Sequence, residues 1–206
     1  MRLKKLFLLI CLSGCILLTG CEITTSSPEP PPVTIKLGAG DFNPVKIYQR
    51  DSPAVVTIIG AEDNKALDQG SGFLISEDGK IVTNAHVVLD EDNQPVEQIF
   101  IEFSNGQRSE AKALQIDPDI DLAILEADYP DNVSPLTLSK RFQFLPGEPV
   151  AAIGSPFGEA QSLSTGIVSA VDRNVESLTK FSIPNAIQTD ASINPGNSGG
   201  PLIDSQ

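Results

Sequence analysis

The chain holds 206 residues, with 27 Asp and Glu against 14 Lys and Arg, for a formal net charge of −13. That length allows one or two domains, and the acidic balance argues against nucleic-acid binding and against electrostatic docking on anionic lipid. One histidine and three cysteines limit the site chemistry before any motif is considered.

The first segment reads as a targeting signal. Arg2, Lys4 and Lys5 precede an almost wholly apolar run over residues 6–18, too short to span a bilayer comfortably. Leu18-Thr19-Gly20-Cys21 then resembles a bacterial lipobox, which makes Cys21 the expected lipid-attachment residue and residues 1–20 the signal peptide. Leu12-Ser13-Gly14-Cys15 fits the same pattern, but the apolar run before Cys15 is much shorter. The charged side chains of residues 1–20 are all basic, so their removal leaves a still more acidic protein. Lipid rather than charge would therefore hold it to the membrane, and the two or three acyl chains of a bacterial lipoprotein would anchor it durably. Cys11, Cys15 and Cys21 account for every cysteine, so the exported domain has no disulfide and depends on its core.

Residues 21–40 form the expected tether, stiffened by Pro28, Pro30, Pro31 and Pro32. A short helix is expected within residues 41–51. Short strands then follow over residues 54–59, 72–76, 80–83, 98–103, 110–116 and 122–126. Glu77-Asp78-Gly79 and Asn105-Gly106 supply turns between them. After Pro135 the pattern resumes over 149–153, 163–171, 185–189 and 201–203. No long stretch carries a strong helical period. Many short strands with regular turns predict an all-β barrel or sandwich.

The chemistry concentrates at three places. His86 is the only imidazole, so any serine-nucleophile mechanism with an imidazole base must use it. Ser198 lies in Gly196-Asn197-Ser198-Gly199-Gly200, whose glycines permit a tight turn and close approach to substrate. The backbone N–H groups of Gly196, Asn197 and Ser198 are the candidate oxyanion donors, those of Gly196 and Ser198 foremost. The same five residues match the G-x-S-x-G elbow of α/β-hydrolases. That class places its histidine after the serine, and no histidine follows Ser198; Gly199-Gly200-Pro201 is also a poor helix start. Asp117, Asp119 and Asp121 alternate and would share one side of an extended segment. Asp121 is the preferred carboxylate because it abuts the apolar residues 122–125. His86, Asp121 and Ser198 then follow the chain order of the chymotrypsin-type triad. With one histidine and, after processing, one cysteine, a nitrogen/sulfur zinc site cannot be assembled, and neither metal nor cofactor is expected.

Five motifs carry a resemblance: Gly70-Ser71-Gly72-Phe73, Thr83-Asn84-Ala85-His86-Val87-Val88, Asp121-Leu122-Ala123-Ile124-Leu125, Ile153-Gly154-Ser155-Pro156-Phe157-Gly158, and the run from Gln188 to Pro201. Together they resemble the HtrA (DegP/DegS/DegQ-like) branch of trypsin-like serine proteases, from about Ile47 onward. The resemblance implies two β-barrels with the triad in the cleft between them. It assigns His86 as general base, Asp121 as its orienter, Ser198 as nucleophile and Ile193 as a lining residue of the primary specificity pocket. It further implies endopeptidase action on unfolded or misfolded envelope proteins, and leaves a homotrimer open as the assembly. Pancreatic-type relatives carry an aspartate before the serine that pairs with a newly cut N-terminus. Asn197 has no charge for such a pair, so control would come from loop ordering by substrate or partner. On this frame residues 41–138 form the N-terminal barrel and residues 139–206 a partial C-terminal barrel, because the sequence ends shortly after Ser198. The competing expectation is a catalytically incompetent protein-binding or chaperone-like module.

Overall fold

The computed structural model describes residues 42–205, apart from 64, 142, 156–160, 177 and 180. The signal peptide, the tether and Cys21 lie outside the described residues. Helix α1 (Pro44–Asp51) opens the described chain. Its start is set locally: the Asn43 side chain accepts from Lys46 N–H at 3.1 Å, and Pro44 occupies the first helical position, where no N–H is needed.

Six strands close a barrel: β1 (Val55–Glu62), β2 (Lys65–Leu74), β3 (Lys80–Thr83), β4 (Gln98–Glu102), β5 (Arg108–Asp117) and β6 (Leu122–Ala127). Around the barrel the order is β1-β2-β3-β6-β5-β4, every pairing is antiparallel, and β4 returns to β1. The strand period of two explains the core. Ile99 and Ile101 on β4 point inward, as do Ala123, Leu125 and Ala127 on β6; they meet Ile58, Leu74 and Ile81 in one buried cluster. β1 departs from alternation because both its faces are covered. Val56 and Ile58 enter the barrel core, whereas Val55 packs outside it with Ile47, Ala151 and Ile153.

The second unit of the fold is a curled four-stranded sheet. It comprises β7 (Pro149–Gly154), β8 (Ser162–Glu176), β9 (Ser182–Thr189) and β10 (Leu202–Ile203), in the order β10-β7-β8-β9. The sheet does not close on itself among the described residues, which matches a double β-barrel whose second barrel is incomplete.

Most expected strands are present, with informative differences. β2 begins at Lys65 rather than at residue 72, because its first residues, Lys65 to Asp68, are exposed and give no apolar alternation. β8 runs on to Glu176 through exposed, charged residues, with Asp172 at φ +54° and an irregular register against β9. Helix α1, expected within the N-terminal barrel, sends Ile47 into the cluster shared by β1 and β7.

Leu125 is fully buried at the centre of the closed barrel. Leu125→Ala is expected to lower unfolding free energy by about 2–5 kcal/mol, from lost burial plus a residual cavity. Urea unfolding of the two proteins measures this as a shift in midpoint with little change in slope.

Candidate active site

His86 sits in a short 3-10 turn, Ala85–Val88, that directly follows β3. Ala85, Val87 and Val88 are buried and fasten this turn to the barrel core, leaving His86 as its partly exposed member. Asp121 closes the turn from β5 into β6. Pro118 O accepts from Asp121 N–H at 3.3 Å, and Asp119 N–H is taken by the Asp117 carboxylate at 3.0 Å. Asp121 itself adopts φ +54°, a left-handed conformation that aspartate tolerates better than most residues.

These two turns meet. Asp121 Oδ2 lies 2.9 Å and Oδ1 3.1 Å from His86 Nδ1, and Oδ1 also accepts the His86 backbone N–H at 3.0 Å. The Asp121 side chain is only 6% exposed, so water competes poorly for the carboxylate. A carboxylate at this position accepts hydrogen bonds and donates none. The ring proton therefore belongs on Nδ1, and Nε2 presents its lone pair away from Asp121. Asp119 and Asp117 are instead used in the turn, which separates Asp121 from its two alternating neighbours.

Ser198 arrives from the other side of the seam. Its carbonyl accepts Ser71 N–H from β2 at 2.7 Å. The next residue, Gly199, has φ +84°, and a Cβ there would stand 2.2 Å from Ser71 O, 2.4 Å from Thr83 Oγ1 and 2.9 Å from Asn84 N. Ser198 thus follows a backbone pressed against the residues that lead into His86. The Ser198 side chain makes no hydrogen bond to the ring among the described residues.

The turn before Ser198 prepares a second feature. Gly196 adopts φ +95°, and Asn197 N–H donates to Asn194 O at 3.0 Å. The Asn197 N–H is therefore committed inside the turn. The N–H groups of Gly196 and Ser198 have no partner among the described residues. Asn197 has no charged group to pair with; its Oδ1 is buried without a hydrogen-bond partner among the described residues, packed where β7 has Gly154 and no side chain would fit. Ile193 is 58% exposed.

Four residues complete the setting that sequence reasoning left without a role. Asn84 Nδ2 donates to Asp121 O at 2.8 Å and holds the left-handed residue from behind. Thr83 Oγ1 donates to Ser71 O at 2.7 Å. Ser71 Oγ reaches Gly196 O, and Ser155 N–H reaches Ser71 Oγ. All four stand inside the motifs quoted above, as small hydroxyl and amide side chains whose distant partners the sequence does not reveal.

Residues 70–206 match the family model of the trypsin-like peptidase domain. The chain belongs to the HtrA/DegP-like trypsin-fold serine proteases. It is 40% identical over 164 residues to serine protease HTRA1A of Danio rerio, covering 76% of this chain and 33% of that protein. To a probable periplasmic serine endoprotease, DegP-like, of Halomonas elongata it is 43% identical over 143 residues, covering 69% and 28%. It therefore spans well under half the length of these relatives. Among solved structures it resembles Deg5 (TM-score 0.66, 39% identity, 78% of each chain) and the HtrA-type protease AlgW with tripeptide (TM-score 0.68, 34% identity, 79% and 51%).

Gly199 tests how tightly the HtrA-like seam is closed. Gly199→Ala meets the backbone of Ser71 and Asn84 and the Thr83 hydroxyl in a conformation that L-residues rarely adopt, so a loss of at least about 1–3 kcal/mol is expected. Thermal unfolding should show a clear drop in Tm, whereas Gly106→Ala, with open space around its Cβ position, costs only its own backbone strain.

Proposed function

We propose that this protein is a serine endopeptidase acting by acyl transfer through Ser198, His86 and Asp121. The observation that carries the reading is the Asp121 carboxylate on His86 Nδ1 at 2.9 Å, with the Ser198 carbonyl held by Ser71 of β2 in the same closed barrel. Ser198 Oγ attacks the scissile carbonyl carbon while its proton passes to His86 Nε2. The carbonyl oxygen becomes an oxyanion, for which the N–H groups of Gly196 and Ser198 are the available donors. Collapse breaks the C–N bond, and the imidazolium returns its proton to the leaving amine. Water then repeats the sequence on the acyl-enzyme, releasing the acid and restoring the serine. No step calls for a metal or an organic cofactor.

The substrate class follows from family and exposure. Ile193, exposed and given a pocket role by the family resemblance, favours small or medium apolar residues at the cleavage position, and segments that present such residues in extended form belong to unfolded or misfolded proteins. The signal-like residues 1–20, the lipobox-like run ending at Cys21 and a relative named periplasmic support a reading in which the protein acts in a bacterial cell envelope under a lipid anchor. Incorporation of labelled fatty acid into the expressed precursor, lost in Cys21→Ser, tests the anchor.

A fluorophosphonate probe tests the chemistry. Labelling of the chain that disappears in Ser198→Ala is the expected result; absence of labelling would leave a protein-binding module as the better reading. Asp121→Asn is expected to lower kcat by about 10⁴-fold near neutral pH, since an amide no longer fixes the ring tautomer. The active form needs an unprotonated Nε2. The kcat/KM profile should therefore fall on acidification. A flat acidic limb would count against His86 as the base.

A further inference from the structure

We infer that Ser71 is a positioning residue of the oxyanion hole, acting through a hydroxyl relay that sets the peptide between Gly196 and Asn197. The inference rests on the serine-peptidase reading given above. Ser71 is fully buried on β2, at the seam between the closed barrel and the second sheet. Its Oγ lies 2.8 Å from Ser155 N and 2.6 Å from Gly196 O. The direction of this relay is fixed by chemistry. Ser155 N–H only donates and Gly196 O only accepts, so the single hydroxyl proton of Ser71 points to Gly196 O.

The consequence concerns one peptide plane. Its carbonyl, Gly196 O, is held by Ser71, and its N–H, on Asn197, is held by Asn194 O at 3.0 Å. With both ends tied, rotation of this plane is blocked. The donors on either side, Gly196 N–H and Ser198 N–H, are left without partners among the described residues. Donors that need no reorganisation at the moment charge develops are worth most to the transition state. Ser155 is anchored in turn: its Oγ lies 2.6 Å from Thr57 Oγ1 on β1, so the relay is referred to the closed barrel. Ser71 never touches the reacting atoms; it also ties the nucleophile's own residue, through its backbone N–H to Ser198 O.

The fluorophosphonate reaction reads this role directly. Ser198 Oγ forms a bond to phosphorus, fluoride leaves, the serine proton goes to His86, and the phosphoryl oxygen takes the oxyanion position. Labelling of the 206-residue chain is followed against probe concentration, separating the maximal rate constant from the half-saturating concentration. Ser71→Ala is expected to lower the maximal rate constant by about 10–100-fold with the half-saturating concentration unchanged, and Ser71→Thr, which keeps a hydroxyl, to restore most of it. Unchanged rate constants in a Ser71→Ala protein with a cooperative melt would overturn the inference and leave the peptidase reading standing. A change confined to half-saturation would also overturn it. If Ser71→Ala does not fold, Ser71→Cys, which keeps the volume and donates weakly, is read by the same criteria. A wild-type chain that never labels would overturn both.

Discussion

The site depends on one backbone contact across a seam, Ser71 N–H to Ser198 O. His86 and Asp121 belong to turns of a closed barrel that is rigid because each of its strands has two neighbours. Ser198 belongs to a loop of an open sheet. Ser71 lies on β2 just beyond the stretch paired with β3, so its N–H is left to receive such a loop. Gly199 then lets the backbone lie against Ser71 O and Thr83 with no side chain to hold them apart. The geometry of a two-part site thereby becomes a property of the barrel.

Strain and restraint are matched within the site. Asp121 is left-handed, which costs energy, and the surrounding atoms over-determine it: Asn84 Nδ2 on its carbonyl, Pro118 O on its N–H, and both atoms of the His86 bond pair on its carboxylate. Removing the strain by a standard β conformation would swing the carboxylate away from Nδ1. The same logic holds in the Gly196 turn, where a positive φ is held by hydrogen bonds at both ends of the following peptide. Unusual backbone stays in place only where such bonds exceed its cost.

Much of the fold was legible because the closed barrel obeys period two wherever one face is wet. Strands β4 and β6 are plain examples, with Ile99 and Ile101, then Ala123 and Leu125, facing in. Legibility failed where burial stops deciding side-chain choice. The start of β2 is exposed, Leu67 included, and the far end of β8 is charged and exposed. A short helix was expected within residues 41–51, yet nothing in its own residues says that Ile47 joins β7 rather than the first barrel alone.

The candidate site divides in the same way. His86 and Ser198 were readable because the chemistry restricts residue type, and a lone imidazole leaves no choice. Asp121 was readable only by its place at the edge of an apolar strand; the carbonyl of Pro118 and the carboxylate of Asp117 explain why its neighbours are turn residues instead. Ser71 was not readable at all, although it stood in a quoted motif. A serine between glycines looks like loop chemistry until its two partners, Ser155 and Gly196, are seen to lie far away in sequence and adjacent in space. Side chains whose role is to orient a backbone peptide have no required pKa and no required spacing from the nucleophile. Only their position in the folded chain distinguishes them, and here that position is the strand that also receives Ser198.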